Sequence, residues 1–364
     1  MESPSHVKSG YWVCMPHCLP VAEIHSRLFT HLYAGFAVVH RDGGVTFPST
    51  YKDQFQSFTR TVRKRSPQVK TLLSIGGDDH QGSHNISVVV KDADKRAKLI
   101  KDSIDLARKF DFDGLDLCWQ YPSPSDNGAD LGSFLDEWRD AVKEDAETRS
   151  KPELLLTAAV FHHPVIPGTG GRFFYYPCEA ISDNLDWINV LAIDFYTPTN
   201  SSGETGPVQA WLNPKERNRC GSAGIGNWIS NGVATKQLVL GLPFHGYEWI
   251  LKNQCHSGFF APAHPAKTIS KPYRTILEII QNPKNNYKTT YDCDYVATYS
   301  HNNKGSWIGY DNVCSISKKV KEASGKDNLG GYSAWHVGAD DDKWSLSTAA
   351  YNAWQSAYNC KANP

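Results

Sequence analysis

The stretch Phe112-Asp113-Gly114-Leu115-Asp116-Leu117-Cys118-Trp119-Gln120-Tyr121-Pro122 decides the fold. Asp113, Asp116, Cys118 and Gln120 stand at strand-compatible spacing, and the period of two sends Asp116, Cys118 and Gln120 to the same side. A row of inward polar groups needs a reason, because burying unpaired charge is costly. It is either a satisfied polar layer inside a closed sheet or a working site at the end of a strand.

Outward from this stretch, short β-branched or apolar runs alternate with amphipathic helical ones. The strand-like runs are Gly10–Val13, Phe29–Phe36, Val69–Ile75, Asp113–Trp119, Leu154–Val160, Trp187–Phe195, Leu238–Phe244 and Leu329–Trp335. Between them, Phe55, Phe58 and Val62 share one helical face, as do Leu131, Phe134, Leu135, Trp138 and Val142. Eight buried strands alternating with helices predict an α/β fold, a (β/α)8 TIM barrel. The spacing is regular up to the seventh run, after which Tyr247 to about Gly309 intervenes before the eighth. That segment is rich in Tyr, Asn and Lys, is too long for a plain loop, and predicts a small α+β insertion subdomain. The expected organisation is a barrel over 8–246 and 310–358, interrupted by the insertion at 247–309. A doubly wound open sheet is the competing architecture, but no Gly-rich phosphate turn follows the first strand.

Among the 364 residues, Lys+Arg and Asp+Glu are balanced at 38 each, which offers no footprint for a nucleic acid and no basic stripe for an anionic membrane. No run approaches the ~18 apolar residues of a membrane span. The 11 Trp and 17 Tyr supply flat amphipathic rings of the kind that stack on sugars, although such rings also fill ordinary cores. Nine cysteines leave at least one thiol unpaired in an oxidised monomer, and Cys255–Cys293 is a candidate pair inside the insertion. The sequons Asn85-Ile86-Ser87 and Asn200-Ser201-Ser202 lean toward secretion. Met1–Gly10 lacks the apolar core of a signal peptide, so the expectation is a secreted or vacuolar protein in its mature form, with a cytosolic location as the alternative.

The quoted stretch resembles the Asp-Gly-x-Asp-x-Asp-x-Glu signature of glycoside hydrolase family 18, and specifically that of plant class V chitinases. Further motifs follow in barrel order: Ser9-Gly10-Tyr11-Trp12, Leu73-Ser74-Ile75-Gly76-Gly77, Leu155-Leu156-Thr157-Ala158-Ala159-Val160, Asp194-Phe195-Tyr196, Leu240-Gly241-Leu242-Pro243-Phe244 and Gly331-Tyr332-Ser333-Ala334-Trp335-His336. The resemblance implies that the signature's terminal Glu protonates the glycosidic oxygen while the penultimate Asp orients the substrate's own N-acetyl group, the substrate-assisted route to hydrolysis. Asp113 and Asp116 are retained, but the orienting Asp is Cys118 and the acid is Gln120. At the sixth strand the family's Met-x-Tyr-Asp is Leu191-Ala192-Ile193-Asp194, and Ile193 has no hydroxyl for the attacking carbonyl. An amide has no proton to give at neutral pH, and a thiol is a weak hydrogen-bond partner. Chitin hydrolysis is therefore expected to be lost.

The ligand-binding set that the resemblance implies is Tyr11, Phe36, Asp116, Gln120, Asp194, Tyr196 and Trp335, with Trp335 as the floor beneath the central sugar. His162 and His163 after the fifth strand, with His245 and Glu248 after the seventh, are added ionisable groups near the same rim. No zinc-like spacing joins them, so neither a metal nor a cofactor is expected. The leading expectation is a chitinase-like lectin that holds an N-acetylglucosamine oligomer or an N-glycan without cutting it. The alternatives are a new enzyme acting on a glycosylated or aromatic small molecule through Asp194, His245, Glu248 or the His162–His163 pair, and a protein whose surface binds a partner. The oligomeric state is left open.

Overall fold

A computed structural model describes residues 6–77, 80–120, 122–266 and 269–362. The main strands are β1 (Val7–Val13), β2 (His31–Val39), β3 (Lys70–Gly77), β4 (Gly114–Trp119), β5 (Leu155–Phe161), β6 (Trp187–Leu191), β7 (Leu238–Pro243), β8 (His245–Leu251), β9 (Tyr287–Asp292), β10 (Ala297–Asn302), β11 (Ser306–Tyr310) and β12 (Gly331–Trp335). The helices are α1 (Lys52–Arg63), α2 (His80–Val89), α3 (Ala93–Lys109), α4 (Gly128–Arg149), α5 (Cys178–Asn184), α6 (Gly221–Ser230), α7 (Tyr273–Gln281), α8 (Val313–Ser324) and α9 (Ser345–Ala362).

The strand order β1-β12-β7-β6-β5-β4-β3-β2, with β1 pairing back onto β2, closes an eight-stranded parallel barrel. The expected barrel is thus present. Helices follow most barrel strands, whereas β1 is followed by short 3-10 turns at Val21–Glu23 and Ser26–Leu28.

Local chemistry accounts for the helix ends. Asp92 caps α3 by accepting from the Lys95 amide, and Arg108 and Lys109 sit in its last turn, where cations complement the helix dipole. Asn127 caps α4, which buries Leu131, Phe134, Leu135, Trp138 and Val142 along one face. Asn312 and Ser315 form a reciprocal capping pair at the start of α8.

The sixth strand is shorter than its apolar run. Asp194 lies in the left-handed region at φ 61°, which an aspartate tolerates better than a branched residue, and β6 has already ended at Leu191. The amide oxygen of Gln209 accepts from the Asp194 backbone N–H at 2.9 Å and holds the turn.

The chain forms two compact units, one of Met1–Leu191, Asn227–Val239 and Leu329–Ser333, the other of Ala192–Gly226, Leu240–Asn328 and Ala334–Pro364. The second contains an antiparallel sheet in the order Ala263–Pro265, β8, β11, β10, β9, together with α7. Trp249 and Trp307 face each other across β8 and β11, with ring centroids 5.5 Å apart, in a core shared with Val208, Tyr247, Leu251, Ala261 and Ala263. Both indoles are satisfied, Trp249 donating to the Ser201 carbonyl and Trp307 to that of Ser257. Much of the tryptophan content is therefore packing: Trp12, Trp138 and Trp228 are fully buried as well.

The eight cysteines with described side chains are all free thiols, including Cys255 and Cys293, which are exposed. The candidate pair Cys255–Cys293 is not formed. They occupy different turns, Cys255 after β8 and Cys293 between β9 and β10. Asn85 is buried and donates to the Val39 carbonyl at 2.8 Å, so the first sequon is a structural contact; Asn200 is exposed. No helix among the described residues is long and apolar enough to cross a membrane.

Candidate functional site

In the first unit, β4 separates its acids by depth. Asp113, just before the strand, is held by Arg63 at 2.6 Å, Lys70 at 3.2 Å and the Thr71 amide at 2.7 Å, a structural ion-pair cluster. Asp116 is fully buried inside the barrel, where strand register sets Ser74 of β3 and Thr157 of β5 directly beside it. Both hydroxyls donate to it at 2.6 Å, and Tyr11 adds a third bond at 3.1 Å. Asn189 donates to the Tyr11 hydroxyl, Tyr33 donates to Asn189, Trp187 donates to Tyr33, and the Tyr11 and Tyr33 rings stack at 4.2 Å. Burial pushes the Asp116 carboxyl up to about 6, against the opposing pull of its hydrogen bonds. The satisfied polar layer is thus the lower part of the strand whose upper end carries Cys118 and Gln120.

Beyond Asp116, Cys118 is fully buried and Gln120 is 4% exposed, just past the end of β4. Among the described residues, none hydrogen-bonds the Gln120 amide. Phe36, near the end of β2, is buried with its ring 6.3 Å from that of Tyr11. His162 and His163 follow β5. The His163 Nδ1 accepts from the Val165 amide at 3.0 Å and burial lowers its pKa, while the His162 ring lies 4.0 Å from that of Phe161.

In the second unit, Asp194 is the hub. His245 Nε2 lies 2.8 Å from its Oδ1, Gln209 donates to the same oxygen at 3.2 Å, and the Tyr247 hydroxyl donates to Oδ2 at 3.1 Å. His245 and Tyr247 are two apart on β8 and so share a face. Burial pulls the His245 pKa down, but the Asp194 charge and hydrogen bond outweigh it and the result is raised; for Asp194, burial pushes up and His245 brings the net below the ordinary range. The two shifts both favour the imidazolium–carboxylate form of the pair over the neutral one. The buried Lys319 pairs with Asp311 and also donates to the Gln209 carbonyl, anchoring the residue that holds Asp194.

Glu248 lies on the other face of β8, accepting from Ser306 at 2.5 Å and pairing with Lys271 at 3.3 Å. It does not join His245. Tyr196 is fully buried, its hydroxyl donating to Glu216 at 2.9 Å and accepting from Asn213 at 3.0 Å, with Arg219 over its ring at 3.7 Å. Ile193 is buried, and Trp335 ends β12 at 8% exposure, its carbonyl accepting from the Phe244 amide. No group of three or more His, Cys, Asp or Glu among the described residues is placed to hold a metal.

The family model for glycosyl hydrolases family 18 matches residues 8–340. The chain belongs to that family. Within family 18 it is 39% identical to a class V chitinase of Arabidopsis thaliana, over 96% of this chain and 90% of that protein. Two solved structures are similar over 96% of this chain and 99% of theirs. One is a class V chitinase of Nicotiana tobaccum, a mutant with glutamine in place of a glutamate, in complex with NAG4, at 38% identity and TM-score 0.90. The other is the chitinase-like agglutinin of Robinia pseudoacacia, at 37% identity and TM-score 0.86.

The sequence names Asp116 and Asp194 of this family-18 chain as ligand-binding residues; the networks around them bring in residues it does not name as site residues, Ser74, Thr157 and Asn189 at the first, Gln209 and Tyr247 at the second. Polar residues at matching heights on neighbouring strands were the available signal for Ser74 and Thr157. Tyr247 was legible as the residue two along from His245.

Proposed function

We propose that this family-18 chain is a non-hydrolytic carbohydrate-binding protein that holds N-acetylglucosamine oligomers or N-glycans at the C-terminal ends of its barrel strands. One observation carries the reading: Gln120, buried and without a hydrogen bond to any described residue, stands where the family resemblance puts the proton donor. An amide there keeps the shape of the acid and its capacity to hydrogen-bond a sugar, but has no proton to transfer. Cys118 and Ile193 withdraw two further contacts to the N-acetyl group, each worth about a hundredfold or more in rate.

Binding needs complementarity to the ground state only, so it survives the loss of these groups. The tobacco chitinase with a glutamine in place of a glutamate holds NAG4, and the Robinia relative is an agglutinin; both support retention of a sugar ligand. Asp194 already carries three side-chain hydrogen bonds, so it contributes shape and field more than new bonds to a ligand. A secreted or vacuolar location accords with such a role.

Titration calorimetry with chitotetraose, alongside chromatography of the same mixture over days, tests this directly. Measurable binding with no shortened products is expected. Release of shorter oligomers at a rate above the enzyme-free control would sink the proposal, and absence of binding to both chitotetraose and an N-glycan core would leave no carbohydrate role to defend.

A further inference from the structure

Two triplets in the chain have the form that accepts an N-linked glycan, Asn85-Ile86-Ser87 and Asn200-Ser201-Ser202, and their surroundings differ in every respect that matters to a bulky attachment. Asn85 is buried within α2, and its amide donates to the Val39 carbonyl of β2 at 2.8 Å. The hydroxyl of the same triplet is engaged as well, Ser87 donating to Asp126 at 2.8 Å. A sugar on the Asn85 nitrogen would have to occupy close-packed interior between α2 and β2.

Asn200 is the reverse case. It sits in the second unit, in the turn that follows Asp194, and Thr199, Ser202 and Gly203 are exposed with it. Its side-chain oxygen accepts from the Thr197 amide at 2.7 Å and from Arg219 at 3.1 Å, which fixes the plane of the amide. The Ser201 amide donates to the Thr197 carbonyl at 2.8 Å, and the Ser201 carbonyl accepts from the Trp249 indole at 3.0 Å, so the turn is pinned to the core beneath it. The Asn200 nitrogen makes one long bond, to the Asp194 carbonyl at 3.4 Å, which needs only one of its two hydrogens. The second hydrogen can be replaced without breaking any of these bonds.

We propose that Asn200 is an N-glycosylation site of this protein and that Asn85 is not. The reaction joins the Asn200 nitrogen to the anomeric carbon of an oligosaccharide carried on a polyprenyl pyrophosphate. The carbon–oxygen bond to the pyrophosphate breaks, and the amide proton leaves with the pyrophosphate. A glycan here requires passage through the secretory pathway but no sugar in the barrel, so it stands or falls separately from carbohydrate binding. The test is translation of the full chain, behind a secretory leader, in the presence of microsomes. Protein from the lumen is compared by gel mobility before and after peptide N-glycosidase, and its peptides are mapped for the asparagine-to-aspartate conversion that the glycosidase leaves. One glycan is expected on the parent, at Asn200. Ser202→Ala destroys the acceptor triplet while leaving every hydrogen bond of Asn200 in place, and should run at the deglycosylated position; Ser87→Ala should keep the parent's shift. A parent without a glycan, a shift that survives in Ser202→Ala, or conversion at Asn85 in the soluble protein each overturns the proposal.

Discussion

Replacing His245 by leucine leaves Asp194 charged with its strongest partner gone. The side chains of His245 and Asp194 are 11% and 24% exposed, so solvent screens the pair only in part. Breaking a buried ion pair from one side costs about 3–5 kcal/mol. Gln209 and Tyr247 remain bonded to Asp194, which places the expected loss near the lower figure, about 3 kcal/mol. At roughly 2.1 cal/mol/K of unfolding entropy per residue, a chain of 364 residues loses about 4 °C in Tm.

The pH dependence is the sharper readout. The folded His245 pKa is raised above 6.5, so its contribution is complete below that value and is lost as pH rises through the folded pKa. The Asp194 pKa is depressed below 3.8, so its contribution holds above that value and is lost as pH falls through the folded pKa. Urea melts of the parent, His245→Leu, Asp194→Asn and the double variant, taken from pH 5 to pH 9, give both the loss and the coupling. Additive single losses, or a parent whose stability does not decline on the alkaline side relative to His245→Leu, refute the ion pair.

The other predictions concern the barrel interior, the degenerate strand and the second core. Because the Asp116 pKa is raised from 3.8 to about 6, the fold holds a proton that the unfolded chain releases, and rising pH removes up to roughly 3 kcal/mol across that window. Asp116→Asn should flatten this slope in urea melts between pH 4 and pH 7; an unaltered slope would assign the titration elsewhere. Gln120→Glu combined with Cys118→Asp should bring chitotetraose cleavage above background, with Gln120→Glu alone lower by about a hundredfold, read by reducing-end assay; equal rates would show that Cys118 is not a defect. Trp307→Ala should cost about 3–5 kcal/mol in denaturant melts through loss of the Trp249 contact and the cavity left behind, and a loss below 1 kcal/mol would contradict the packing.

The barrel was legible because it rests on period and order, which sequence carries directly. All eight runs became strands, and the faces of α1 and α4 bury the residues that the helical period selects. The errors arose where one residue's backbone or an unseen neighbour decides the outcome. The run Trp187–Phe195 is apolar enough to continue, yet β6 stops at Leu191 ahead of the left-handed Asp194. Cys255 and Cys293 share a segment, but sequence proximity does not bring two turns together. Glu248 was grouped with His245 by separation along the chain, whereas an offset of three in a strand puts them on opposite faces.

The two networks give different meanings to the same kind of retention. Asp116 keeps its family position with its oxygens bonded by Ser74, Thr157 and Tyr11, all donors from the barrel wall, so its persistence is explained by the core alone. Asp194 is different, because a titratable imidazole, His245, bonds a carboxylate that Gln209 and Tyr247 also hold. In its protonated form His245 weakens the pull of that carboxylate on a neutral donor such as a sugar hydroxyl. Bonded on both oxygens, Asp194 is fixed in place and has little left to offer a sugar hydroxyl. The proposed sugar contacts therefore fall to Gln120 and Trp335 more than to Asp194, whose oxygens His245, Gln209 and Tyr247 already occupy.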